Sequence, residues 1–159
     1  MGNQKRFVYL GLVIIWCFTI FIFSHQPGEK TKETSDIISG PINENIGGGR
    51  DWGIFIRKGA HLFEYTLLAF LVMLLVSTSS LQLKYQIPFT FLFCVLYAIS
   101  DEWHQTFIPG RYGNFTDVLI DAGGCIIGIL IYLLIYQIKQ KRLRSTINHE
   151  TNSSNTSGD

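Results

Sequence analysis

Apolar residues in this chain fall into four long blocks joined by short polar links. The first runs unbroken from Phe7 to Phe23, at the short end of what crosses a hydrocarbon core of about 30 Å. The others run from Trp52 to Ser77, Ile87 to Phe107 and Asp117 to Gln137. They predict an all-α integral membrane protein with transmembrane helices at 7–23, 52–77, 87–107 and 117–137, forming one domain over 1–138. Lys5 and Arg6 ahead of the first block could mark a secretory signal. However, Phe23-Ser24-His25-Gln26 offers no small-x-small cleavage site and further apolar blocks follow, so a retained first helix is expected.

The links carry turn chemistry. Ser24-His25-Gln26-Pro27-Gly28 ends the first helix, and the polar loop 24–51 is most flexible at Gly47-Gly48-Gly49, with a short surface helix expected over 29–39. Asp51 is placed to cap the second helix and Trp52 suits a membrane interface. Pro88 is tolerated in the first turn of the third helix. Pro109-Gly110 turns the chain, and Asn114-Phe115-Thr116-Asp117 resembles a capped helix start. Gly124 and Gly128 have the GxxxG spacing that lets two helix backbones approach closely. After Lys139, Lys141, Arg142 and Arg144, the remainder of 139–159 reads as a disordered tail.

Charge sets the expected orientation. The formal net charge is +1, but the basic residues are segregated. Four spans put both termini on one side, together with Lys5, Arg6, Lys84 and the cluster after Gln137. Basic residues mark the cytoplasmic side, so both termini are expected there, in a multi-pass membrane protein. Lys30, Lys32 and Arg50 in the first loop count against this, because the rule counts bases and ignores the accompanying acids. Cys17, Cys94 and Cys125 lie inside apolar blocks, are odd in number and lack CxxC spacing, so they read as small embedded side chains.

The polar residues inside the blocks are sorted to one end. Asp101, Glu102, His104, Gln105 and Arg111 arrive together at the end of the third block. Each ionisable group at mid-bilayer costs about 2.5–3.5 kcal/mol on insertion scales. Arg57, Lys58, His61, Glu64 and Tyr65 occupy the first turns of the second helix. At ~1.5 Å per residue, Glu64 lies about 12 Å along it from Ile56, too deep for a short acid to reach the interface. Ser24 and Gln26 end the first helix, and Asp117 and Asp121 begin the fourth. These fourteen residues would share the outward leaflet, while the other halves of the helices are nearly all Leu, Ile, Val and Phe. That sorting predicts a ligand site at the outer face.

Several chemistries fit. An ion-pair network could serve only to hold the bundle, but intramembrane hydrogen bonds average about 0.6 kcal/mol and make weak glue. Among these residues the acids Glu64, Asp101, Glu102, Asp117 and Asp121 outnumber the fixed cations Arg57, Lys58 and Arg111, which leaves protonated histidines, a bound cation or raised carboxyl pKa values to balance them. His61-x-x-Glu64 and Asp101-x-x-His104 each put two metal donors on one helix face, so His61, Glu64, Asp101 and His104 are candidate ligands for a divalent metal. The His61-x-x-Glu64 order is not the usual Glu-x-x-His of metal-carboxylate bundles. Glu102, His104, His61 and Glu64 are the candidates for acid/base catalysis, with Arg111 holding a phosphate. Recognition without chemistry would use Arg57, Lys58 and Arg111 on an anionic headgroup. The nearly featureless inner half disfavours an ion-coupled transporter, and membrane location excludes nucleic acid. Binding and catalysis both stay open at this stage.

With these residues the chain resembles the VanZ-like family of bacterial membrane proteins. The resemblance rests on Ser24 and Gln26, on Arg57-Lys58-x-x-His61-x-x-Glu64-Tyr65, and on Asp101-Glu102-x-His104-Gln105-x-Phe107-x-Pro109-Gly110-Arg111. Asp117, Gly124 and Gly128 complete it, so that it spans roughly Leu10 to Ile135. It departs at His25, where a small polar residue is expected, and at Asp121, where asparagine is expected. The resemblance implies resistance to teicoplanin-type glycopeptides or a housekeeping role in the cell envelope. The implied partner is a membrane lipid, a lipid-linked cell-wall precursor or a lipoglycopeptide.

Overall fold

The computed structural model describes residues 2–29, 32–34, 37, 39–40 and 52–156. Four long helices account for nearly all of them: α1 (Gly2–Ser24), α2 (Trp52–Val76), α3 (Leu83–Gln105) and α4 (Phe115–Thr156). Each contains a stretch long and apolar enough to cross a membrane: Gln4–Ser24, Trp52–Val76, Leu83–Gln105 and Phe115–Asn148. No strand occurs among the described residues. Described residues within 28–40 are helical, as expected for 29–39, whereas Gly47-Gly48-Gly49 and the Asp51 cap lie outside the described residues.

Two boundaries differ from expectation for local reasons. α3 begins four residues early, after Gln82 in extended conformation (φ −66°, ψ 146°), which puts Pro88 one turn inside the helix. The Gln86 side chain folds back to donate to the Leu81 carbonyl at 2.7 Å, securing that start. α4 continues through the stretch expected to be disordered, to Thr156. Gln, Lys, Arg and Leu are strong helix formers and nothing between 137 and 147 breaks the helix. Its 42 residues span about 63 Å, twice the hydrocarbon thickness, and every described side chain from Leu134 to Asn148 is exposed.

α2 is the hub. It packs most extensively on α4 and also on α1 and α3, while α1 and α3 touch little. The α2–α4 pair runs parallel, Leu62 facing Gly124 and Thr66 facing Gly128. Glycine is required at both points: a Cβ on Gly124 would lie 2.5 Å from the Leu62 carbonyl oxygen, and one on Gly128 would collide with the Thr66 carbonyl. This is the close approach that the GxxxG spacing predicts.

The buried core lies along these seams: Leu68, Ala69, Val72 and Met73 from α2, Cys94 and Ala98 from α3, Cys125, Ile129 and Tyr132 from α4, and Val13 and Ile20 from α1. All three cysteines are free, as their spacing suggested. Two side-chain bonds to backbone carbonyls fasten α1: Trp16 Nε1 donates to Glu64 at 2.9 Å, and the Tyr97 hydroxyl donates to Cys17 at 2.6 Å. Phe7, Ile14, Phe18, Phe63, Phe89, Leu92, Leu119 and Leu130 are exposed around the bundle. In water such a belt would aggregate; in lipid it is the solvated surface.

Candidate functional site

The buried polar side chains gather at the end of the bundle where α1 and α3 finish and α2 and α4 begin. Ser24, Asp101, Glu102, Gln105 and Asp121 are all buried there, and Tyr65 closes the deep side. This end is built by two local devices. Pro109-Gly110 forms a tight turn, closed by the Arg111 N–H donating to Ile108 at 3.1 Å with Gly110 at φ 75°. The Gly28 N–H donates to the Pro109 carbonyl at 3.3 Å, so the chain leaving α1 is laid directly against that turn. The second device is the start of α4. The Asn114 side-chain oxygen accepts from the Thr116 N–H at 3.1 Å and caps the helix, while its own N–H donates to Glu102 Oε2 at 2.8 Å.

Gln105 sits at the centre of the polar network. Its amide nitrogen donates to Asp101 Oδ2 at 3.1 Å and, more weakly, to Glu102 Oε1 at 3.4 Å. Its amide oxygen accepts from Arg111 Nη1 at 3.2 Å. Arg111 Nη2 also reaches the Phe23 carbonyl at 3.2 Å, which ties the loop after α3 to the end of α1. Burial lowers the Arg111 guanidinium from its ordinary value, helped by the nearby Arg57 charge and opposed by Asp101, Glu102 and Glu64. A guanidinium still remains charged under these conditions.

Two cavities open on this network and share Arg57, His61 and Arg111 as walls. The larger, of about 380 Å³, is lined also by Lys58, Gln105, Asn114 and Asp117. The smaller, of about 250 Å³, is lined also by Ser24, Gln26, Glu64 and Asp101. Arg57 and Lys58 are exposed, Glu64 half-buried. Between the cavities and the core, several buried polar atoms have no hydrogen-bond partner: Ser24 Oγ, His61 Nδ1, the Tyr65 hydroxyl and both Asp121 carboxylate oxygens. Asp121 is fully buried, and the nearest charged group is the His61 imidazole, with Nδ1 3.5 Å from Oδ1. Native interiors rarely leave such groups unsatisfied, so the site is shaped for something polar.

Of the fourteen residues singled out in the sequence, the structure brings thirteen to these cavities or the network beneath them. His104 stands apart. Its ring packs against Phe21, centroids 4.7 Å apart, and its Nε2 lies 3.1 Å from Nδ1 of His25 on the far side of α3. The metal pairs expected within each helix therefore do not meet as one group. Among the described residues, the donors that converge are His61, Glu102 and Asp121, one from each of three helices, with ligand atoms within 4.8 Å of one another. Sequence reasoning passed over Asn114 as a site residue, although its capping position was the available signal. No sequence signal pointed to the Phe23 carbonyl or the His25–His104 pair, because backbone groups and cross-helix contacts leave no trace in residue type.

A model of the VanZ/LLP1 family matches residues 8–136. Searches of curated proteins and of solved structures gave no significant match.

Proposed function

The chain belongs to the VanZ/LLP1 family, and from that premise we propose that it is a multi-pass protein of the bacterial cytoplasmic membrane whose polar end faces outward. Both termini and the α2–α3 turn with Lys84 then lie in the cytoplasm, in keeping with the basic residues there. The cavities bind an anionic, lipid-linked component of the envelope or a teicoplanin-type lipoglycopeptide. The protein thereby contributes to glycopeptide resistance or envelope maintenance.

The observation that carries this reading is the shared wall of Arg57 and Arg111, with Lys58 beside it. Both guanidinium groups line both cavities, and Lys58 lines the larger, so an anionic group entering there meets two or three cationic donors. The exposed apolar belt would hold an acyl chain beside the headgroup. Beside the cations, Gln105 and Gln26 orient the bound group, and Ser24 and Asp117 complete the polar lining, with Tyr65 and Glu102 buried behind it. A second reading, chemistry on a lipid or precursor headgroup, is favoured by the convergence of His61, Glu102 and Asp121. Glu64, on the wall of the smaller cavity, would then serve as acid/base.

The test is a susceptibility assay with wild type, Arg111→Ala and Glu102→Gln at equal membrane levels, paired with mass spectrometry of copurifying lipids. Wild type is expected to raise teicoplanin tolerance and to retain an anionic lipid that Arg111→Ala loses. Full protection by both variants would end the cavity reading.

A further inference from the structure

We propose that His61, Glu102 and Asp121 form a divalent transition-metal site that joins α2, α3 and α4 beneath the cavities that His61 lines. The donors are an imidazole and two carboxylates, each able to offer one ligand atom, all within 4.8 Å of one another. Ligand atoms about 2.0–2.2 Å from a metal stand roughly 3–3.5 Å apart in tetrahedral geometry, so closure requires side-chain movement of about an ångström. With a neutral imidazole the trio carries two negative charges, which one divalent cation balances.

The independent observation is Asp121. It is fully buried and both its oxygens lack hydrogen-bond partners. A buried carboxylate costs several kcal/mol unless it is well paired or metal-bound, and its ion pair with His61 leaves both oxygens without a hydrogen bond. His61 Nδ1 is likewise buried and without a hydrogen-bond partner, at 3.5 Å from that carboxylate. Glu102, by contrast, is already oriented, with Oε2 accepting from the Asn114 N–H and Oε1 from the Gln105 amide. That is the outer support which metal-binding carboxylates ordinarily have. One Glu102 oxygen lies within 4.8 Å of the donor atoms of the other two residues.

The donor chemistry selects the ion. An imidazole in the set suits zinc, manganese, cobalt or iron(II), while magnesium and calcium favour all-oxygen shells. Three protein ligands leave coordination positions open, and His61 lines both cavities. An exogenous oxygen donor such as a phosphate would complete the shell from there. The site is the one discussed above, but its metal binding does not rest on the identity of the cavity ligand.

The experiment uses purified full-length protein in detergent, stripped with chelator and then titrated with Zn2+, Mn2+, Co2+ and Mg2+ separately. Metal content is read by elemental analysis, and Co2+ coordination by its visible absorption. About one equivalent of transition metal per chain is expected, with Mg2+ binding much weaker. The near-isosteric Asp121→Asn and Glu102→Gln, and also His61→Ala, should each lower affinity by more than about tenfold. Helicity and gel filtration establish that the variants fold, and Zn2+ should raise the melting temperature of wild type but not of Asp121→Asn. His25→Ala should bind as wild type does, since the His25–His104 pair lies elsewhere. Equal binding by wild type and Asp121→Asn, loss of binding in His25→Ala, or no binding by wild type would each overturn the proposal. None of these would bear on whether Arg111 retains a lipid, so the two readings fail separately.

Discussion

Adjacent glycines on α4 give a sharp test of how the site is held. A Cβ on Gly124 would lie 2.5 Å from the Leu62 carbonyl oxygen and 3.2 Å from the Thr66 nitrogen, whereas ordinary contact begins at 3.4 Å. Both obstacles are backbone, so α2 and α4 must part by about 1 Å. Overpacking of this kind costs about 1–3 kcal/mol. Alanine's helix propensity returns about 1 kcal/mol, leaving a net loss of about 0–2 kcal/mol, a fall of up to about 8 °C in melting temperature for a chain of this size. Against Gly123→Ala, which has the same propensity gain, the full overpacking cost of about 1–3 kcal/mol, or about 2–12 °C, should show. A Cβ on Gly123, one residue earlier, would meet only the Leu62 Cδ1 at 3.9 Å. Gly123→Ala should therefore be neutral or slightly stabilising. Asp121 lies less than a turn before Gly124, so the same displacement carries its carboxylate away from His61, now 3.5 Å distant. Thermal melts of both variants in the same detergent decide the matter. If Gly124→Ala melts with Gly123→Ala, the parallel α2–α4 seam is not the constraint that places Asp121.

Two further outcomes follow from the polar end and the α1 seam. Gly110→Ala forces an alanine to φ 75°, which costs about 1–2 kcal/mol, and should disturb Arg111 more than the fold. Lipid retention in that variant should drop while its helicity stays at the wild-type level, both readable on one preparation. Tyr97→Phe removes the hydroxyl donated to the Cys17 carbonyl and should cost about 0.6 kcal/mol, no more than about 1.7 kcal/mol. A melting loss beyond about 7 °C would mean that this bond holds α1 more firmly than a single intramembrane hydrogen bond can.

The four spans were legible in the sequence because lipid imposes a one-dimensional rule: about twenty apolar residues with their backbone bonds made internally. The sorting of polar residues followed from the same rule, since each ionisable group costs enough for its depth to be informative. The glycine pair at 124 and 128 could be read as a contact because only backbone approach demands that spacing. The partner could not: that α2 is the helix lying against those glycines emerges only from packing. Which donors converge was also beyond the sequence. Spacing of three along a helix suggested pairs within α2 and within α3, yet a metal-sized group needs atoms converging from several directions. The rotation of α3 turns His104 toward His25 and Glu102 toward His61 and Asp121. Hydropathy fixes the depth of a residue in the membrane; the azimuth at which it faces its neighbours is decided by side-chain packing between helices.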